Sequence, residues 1–311
     1  MGCAHYSANS LSHVPARESV ALAVVTRNRP DLLARHLLPS VRGGVDEDID
    51  VVVVDQSDGD ETRLLVDELP RVRYLRSQPG LSRGRNVAVS ETTASIVVFT
   101  DDDVEFGPDW LPMMRTAFDA PDIGAVCGGG TEGGLPLPVR SAGVHRWPAN
   151  PFHLGFGYNF AFRRPALRDA GPFDELLGAG ARIGSAEDTD MLYRVLRAGW
   201  AVRCDGAIAI EHAVWRDPAA DKQRFRIYGL GFSVQTLKHV RQGDLMAAGV
   251  AAAEVGRHIF WSAFSLARRD RLGLRRQLAW YHGVLAGPAE ARRAWAQERL
   301  ASAADPAEPV V

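Results

Sequence analysis

Ile96 to Phe106 reads IVVFTDDDVEF: a short apolar run, then three aspartates, then another acid two positions on. A run this short and this rich in β-branched residues suits a buried strand of a parallel sheet, where both faces are covered. In an open α/β sheet, ligands collect beyond the carboxyl ends of the strands. If the chain stays extended past Thr100, Asp101 and Asp103 face one side together and Asp102 faces the other. Two carboxylates that close repel unless a cation lies between them. A hard divalent ion, Mn²⁺ or Mg²⁺, holding a substrate phosphate is the natural partner. Aspartates also cap helices and fill turns, so the rest of the chain has to decide between the two readings.

The segments on either side repeat the same grammar. Ser19 to Val25 reads as a strand ending at Thr26-Arg27-Asn28-Arg29-Pro30, and Pro30 suits the first turn of a helix whose leucines run to Val41 before Gly43-Gly44. Ile49 to Val54 is a second strand ending at Asp55, Thr62 to Leu69 a helix, and Val72 to Leu75 a third strand. Ser82 to Thr92 reads as an arginine-bearing helix with Ser82 as its N-cap. This alternation predicts a mostly parallel, Rossmann-like α/β sheet with right-handed crossovers.

Past the aspartates, a helix is expected over 109–119 and a strand over Ile123 to Cys127, with Gly128-Gly129-Gly130 opening a loop or hairpin. Gly155 to Phe162 reads as a strand, 165–170 as a short helix, Phe173 to Ala186 as a glycine-rich loop and Glu187 to Ala198 as a helix. Trp200 to Cys204 and Ala207 to Glu211 read as two short strands leading to His212. From 221 on, three helices are expected at 221–242, 244–269 and 272–300. The domain reading is a loose N-terminal tail over 1–18, a catalytic domain over 19–220, a helical extension over 221–300 and a disordered tail over 301–311.

The chain has 311 residues, 46% of them apolar and 24% charged, as in ordinary globular proteins. A net charge of −2 gives no field that would recruit nucleic acid. Three scattered cysteines fit neither a zinc nor a redox spacing and suggest a reducing compartment. No signal-peptide core and no apolar run long enough to span a bilayer is found, so a cytoplasmic location is expected.

Polar groups at three strand ends, 26–28, 55–57 and 101–103, share one edge of the predicted sheet, an arrangement shaped for a nucleotide. Thr26, Arg27 and Asn28 offer a hydroxyl, a guanidinium and an amide. Asp55 can accept the imide N–H of a pyrimidine, which points to a UDP- or dTDP-linked ligand. Arg83, Arg85 and Asn86, near a helix start, can bind a diphosphate. In Glu187-Asp188-Thr189-Asp190, Glu187 and Asp190 are neighbours on one helix face and Asp188 points elsewhere. A carboxylate at the exit of a glycine-rich loop suits a general base that deprotonates an acceptor hydroxyl. His212, at a strand end, can be a neutral imidazole ligand to the same metal.

With these residues in view, the chain resembles the family 2 glycosyltransferases of the GT-A fold. The resemblance rests on VVTRNRP (24–30), VVVVDQSD (51–58), GLSRGRNVAVSETTASIVVFTDDDVEF (80–106), GYNFAFRRPALRDAGPFDELLG (157–178) and GSAEDTDMLYRVLRAGW (184–200). It implies a nucleotide-diphospho-sugar donor and inversion at the anomeric carbon. Asp101 and Asp103 match the family's Asp-x-Asp, with Asp103 the more direct metal ligand. Asp102 would lie near the donor, Asp55 would read the base with Thr26 to Asn28 beside it, and Asp188 would be the general base. His212 would complete the metal or diphosphate site. The processive members' Gln-x-x-Arg-Trp motif is reduced here to Gln223-Arg224-Phe225-Arg226, which implies transfer of a single sugar.

Two other functions share these residues. A nucleotidyltransferase would favour a glycine-rich, lysine-bearing loop after the first strand, and 24–30 lacks both features. A non-catalytic nucleotide-sugar binding protein would bind donor without turnover. The C-terminal helices, aromatic and rich in arginine, suit packing on the catalytic domain, a homodimer contact, or an anionic membrane surface that would favour a lipid-linked acceptor over a small natural product.

Overall fold

The computed structural model describes residues 18–46, 48–137, 141–213 and 220–304. The expected N-terminal tail and Cys3 lie outside the described residues, apart from Glu18. So does the C-terminal tail from 305 on.

Strands β1 (Val20–Thr26), β2 (Asp50–Asp55), β3 (Val72–Arg76) and β4 (Ile96–Thr100) alternate with helices α1 (Pro30–Leu32), α2 (Leu38–Gly44), α3 (Glu61–Asp67) and α4 (Leu81–Glu91). The four strands are parallel, in spatial order β3-β2-β1-β4. Their unbroken apolar composition has a direct cause, because both faces are covered. Val51, Val53, Ile96 and Val98 pack into one core layer, and Val52, Val54, Val97 and Phe99 into the other. Between α1 and α2 a π-turn over Leu33–Leu37 inserts into what the sequence presents as one helix. Leu33, Leu37 and Leu38 are all buried there.

The second half of the sheet is mixed. After β5 (Val104–Glu105) and α5 (Trp110–Thr116) come β6 (Ile123–Glu132), β7 (Leu135–Leu137), β8 (Gly143–His145), β9 (Asn159–Arg163), α6 (Arg164–Ala170), α7 (Glu187–Arg197) and β10 (Ala201–His212). Strand β9 runs antiparallel between β4 and β6, and β10 is parallel to β6. Helices α8 (Asp221–Arg241), α9 (Leu245–Ala267) and α10 (Arg271–Ala304) follow, so α10 reaches four residues into the expected tail. None of the described helices is long and apolar enough to cross a membrane.

Four expectations are corrected. The strand expected to end at Cys127 runs on to Glu132, so Gly128-Gly129-Gly130 lies inside β6, and the hairpin forms at its far end, where β7 pairs antiparallel with β6. A Cβ on Gly128 would sit 2.3 Å from the Asn159 amide nitrogen, which donates to the Gly129 and Ile208 carbonyls, so this close approach needs glycine. The two short strands expected before His212 are one strand, irregular between Asp205 and Ala209. The strand expected from Gly155 starts at Asn159. Ser82 is not an N-cap: α4 begins at Leu81, behind Gly80 at φ +128°, and the buried Ser82 hydroxyl donates to the Leu177 carbonyl at 2.7 Å.

Candidate functional site

The edge formed by the ends of β1, β2 and β4 carries the acids. Past Thr100 the chain turns through 101–103 into β5, which pairs with the end of β10 so that His212 lies opposite Val104. The Ala213 N–H donates to the Asp103 carbonyl at 2.8 Å and fixes His212 beside the turn. Asp101, Asp103 and His212 therefore converge, with one ligand atom of each within 4.8 Å of the others. The His212 Nε2 is 3.5 Å from an Asp103 oxygen, and both residues are buried. Burial, and then the neighbouring Asp103 carboxylate, raise the proton affinity of Asp101 above the usual carboxylate range. Two carboxylates and an imidazole with this excess of negative charge are a donor set that Mn²⁺ or Mg²⁺ fits.

Asp102 turns the other way. It accepts from the Thr26 hydroxyl at 2.5 Å and pairs with the Arg29 guanidinium at 2.7 Å. Burial pushes it up to about 7, against the opposing pull of Arg29 and Thr26. Thr26 and Asp102 thus tie β1 to β4. Arg29, which also lies 3.4 Å from Asp103, is a site residue that sequence reasoning missed. Its only signal was a second arginine in Thr-Arg-Asn-Arg-Pro.

Arg27 is exposed at this edge. Asn28, at φ +54°, exchanges two hydrogen bonds with Asp58 and donates its backbone N–H to the Ser57 hydroxyl, joining the ends of β1 and β2. Asp55 is completely buried, accepting from the Ser57 N–H at 2.9 Å and from the Tyr74 hydroxyl at 2.8 Å. Tyr74 also escaped the sequence reading, because only the register of β2 on β3 brings it there.

The polar side chains of the arginine helix are engaged by neighbouring segments. Arg83 pairs with Glu175 at 2.8 Å, and the Asn86 side chain holds both the N–H and the carbonyl of Phe173. Arg85 is 2% exposed: it pairs with Glu187 at 3.0 Å, donates to the Gly157 carbonyl at 2.8 Å and lies 4.9 Å over the Phe160 ring. These three residues fasten α4 to the 173–187 segment.

The acids of α7 separate just as sharply. Glu187 is held by Arg85, while burial, followed by the Asp188 charge, pushes it up to about 7. Asp190 receives Arg194, Lys238 and His239 at 2.8–2.9 Å. Burial works against its ionisation, but these three partners outweigh burial and hold it below the usual range. Asp188 remains half-buried, has no cationic partner among the described residues, and accepts only from the Thr189 N–H at 2.7 Å. It stands over Gly157, where a Cβ would come within 2.9 Å of its carboxylate. The next residue, Tyr158, packs 4.9 Å from the His212 ring, so the two acid clusters share one wall. A cavity of about 440 Å³ at the C-terminal end of α7, beside Tyr193, Arg197 and Asp244, includes none of the sheet-edge residues.

Against known proteins, the model of glycosyl transferase family 2 matches residues 21–170. No curated protein matches the sequence. Among solved structures, the chain is similar to the mannosyltransferase PcManGT from Pyrobaculum calidifontis, in complex with GDP-Man and Mn²⁺. The TM-score is 0.62 at 17% identity, over 88% of each chain. It is also similar to residues 1–349 of TarS from S. aureus, with a TM-score of 0.58 at 15% identity and 88% coverage of both chains. At these identities the likeness establishes the fold.

Proposed function

Because residues 21–170 are a glycosyltransferase family 2 domain, we propose that the chain is a metal-dependent, inverting glycosyltransferase. It would move one sugar from a nucleotide-diphospho-sugar to an acceptor hydroxyl. The observation that carries this is the convergence of Asp101, Asp103 and His212 at the sheet edge, with Asp188 across the Gly157–Tyr158 wall. The complex of the mannosyltransferase neighbour with GDP-Man and Mn²⁺ supports the donor class and the ion.

Asp101, Asp103 and His212 would hold the divalent ion, which when bound supplies positive charge for the departing diphosphate. Asp188 takes the proton of the acceptor hydroxyl. The oxygen attacks the anomeric carbon from the face opposite the diphosphate, the new C–O bond forms as the old one breaks, and the bonding pair leaves with the diphosphate. Configuration inverts, and no sugar is attached to the enzyme. Thr26 and Asp102 fix the donor edge, with Arg29 neutralising Asp102. Asp55 and Asn28 shape the base end, beside the exposed Arg27. Arg83, Arg85 and Asn86 act one layer back by holding the segment that delivers Asp188. Residues 19–220 form the catalytic unit, and the extension 221–300 braces α7 through Lys238 and His239 on Asp190.

The test is a thermal-shift series of nucleotide sugars with and without Mn²⁺, since a ligand that binds only the folded state raises Tm. A nucleotide-diphospho-sugar should raise Tm in the presence of Mn²⁺, and Asp103→Ala should erase the Mn²⁺-dependent part. Equal shifts with and without the ion would remove the metal assignment.

A further inference from the structure

Helix α9 is built inside out. Its buried positions include Glu254, His258 and Ser265, while every exposed position from Leu245 to Ala267 is apolar. Glu254 meets His153 and Arg257, and His258 stacks 3.6 Å from Trp280 and hydrogen-bonds Gln277. The outward face shows Leu245 at 78% exposure, Ile259 at 58% and Phe260 at 61%, with Trp261 and Phe264 beside them. At 1.5 Å per residue this strip is about 34 Å long. A surface helix of a globular protein normally turns its apolar stripe inward, and a contiguous exposed strip marks an interaction face.

Charge selects the occupant. The aromatic end of the strip runs into Arg268, Arg269 and Arg271, with Arg275 one turn into α10, and all four are exposed. Arg268 lies 4.8 Å over the Phe264 ring, and none of the four has a carboxylate partner among the described residues. Asp270, the acid among them, is engaged with the Gly273 N–H. An apolar, aromatic face ending in clustered arginines is the composition that binds an anionic bilayer surface. The helix would lie in the interface rather than cross it, in keeping with its failure to qualify as a span.

We propose that the outward face of α9, together with the arginines of the α9–α10 turn, docks on an anionic lipid membrane. Through the Glu254–His153 contact, α9 is joined to the segment that leads to Gly157 beside Asp188. A chain seated this way presents its acceptor side to molecules that partition into the bilayer. That consequence rests on the transferase reading; the docking itself does not.

The test is flotation of the full chain with phosphatidylcholine vesicles and with vesicles that also contain phosphatidylglycerol. The chain should float with the anionic vesicles and remain behind with the neutral ones. Arg268→Gln with Arg271→Gln should lower the partition coefficient roughly 25-fold, about fivefold per arginine. Phe260→Ser with Phe264→Ser should abolish flotation, with thermal unfolding close to wild type because both rings are exposed. A wild-type chain that stays behind with both vesicle types overturns the proposal. So does a vesicle-free dimer that the phenylalanine pair splits into monomers, which would assign the face to a second copy. Flotation involves no sugar transfer, so either failure leaves the donor-binding result standing.

Discussion

The turn 101–103 and the first turn of α7 each set three acids within four residues, and the fold sorts the two sets differently. In the first, Arg29 pairs closely with Asp102 at 2.7 Å and reaches Asp103 only at 3.4 Å, and Asp101 and Asp103 converge on His212. In the second, two are taken out: Glu187 goes to Arg85, Asp190 to Arg194, Lys238 and His239, and Asp188 is left alone. Two carboxylates beside an imidazole suit a cation. A carboxylate with no cationic partner among the described residues suits a general base. The chemistry open to each cluster therefore depends less on where acids occur than on how the surrounding cations partner them.

The largest expected effect breaks the second cluster at its unpaired member. Asp188→Asn should lower the rate of nucleoside diphosphate release about 10²–10⁴-fold, the scale of general-base loss, with donor affinity near wild type. A rate within a few-fold of wild type would reduce Asp188 to a bystander and make the two clusters alike in having no base. Next comes the partner that does the sorting. Arg85→Ala leaves Glu187 buried without its cation and should cost about 3–5 kcal/mol in denaturant unfolding, the usual scale for one half of a buried pair. An unchanged midpoint would mean that Glu187 takes up a proton in the folded state at no cost.

That possibility has its own measurement. The folded-state proton affinity of Glu187 is raised from 4.5 to about 7. The fold therefore holds the proton more tightly than the unfolded chain does. The stability this contributes is complete below pH 4.5 and is lost as pH rises through about 7. Glu187→Gln cannot ionise, so its Tm should fall less than that of wild type between pH 5 and 8, by an amount worth at most about 3 kcal/mol. Asp190 has the opposite sign: held low, it contributes above the ordinary carboxylate range and loses that contribution in acid. Parallel profiles for wild type and Glu187→Gln would show that Arg85 keeps Glu187 ionised throughout.

The sequence made the strands and the acids legible and left their partners hidden. Strands such as Val51 to Val54 could be read because burial on both faces demands an unbroken apolar run. The glycines at 128–130 misled because their reason is tertiary: Asn159 and Tyr158 approach too closely for a Cβ. The antiparallel insertion of β9 leaves no local mark, since hydrophobic alternation carries no direction. The pairing of Arg85 with Glu187 could not be read because the two are 102 residues apart. His212 and Asp188 could be singled out as candidates because each sits at the end of an element, where composition changes abruptly.

The smallest expected effect sharpens the first cluster at its quieter neighbour. Tyr74 donates to Asp55, whose other oxygen is held by the Ser57 N–H. Tyr74→Phe keeps the ring and removes the donor, so a buried carboxylate loses one of its two bonds and stability should fall about 1–2 kcal/mol with an unchanged m-value. If Asp55 contacts the donor base, the Tyr74 bond fixes which oxygen lone pair faces the ligand, and the donor Kd should weaken by less than about tenfold. A Kd that does not move while stability falls would make Asp55 a strand-end brace like Asp102. The base end would then depend on Asn28 and the exposed Arg27.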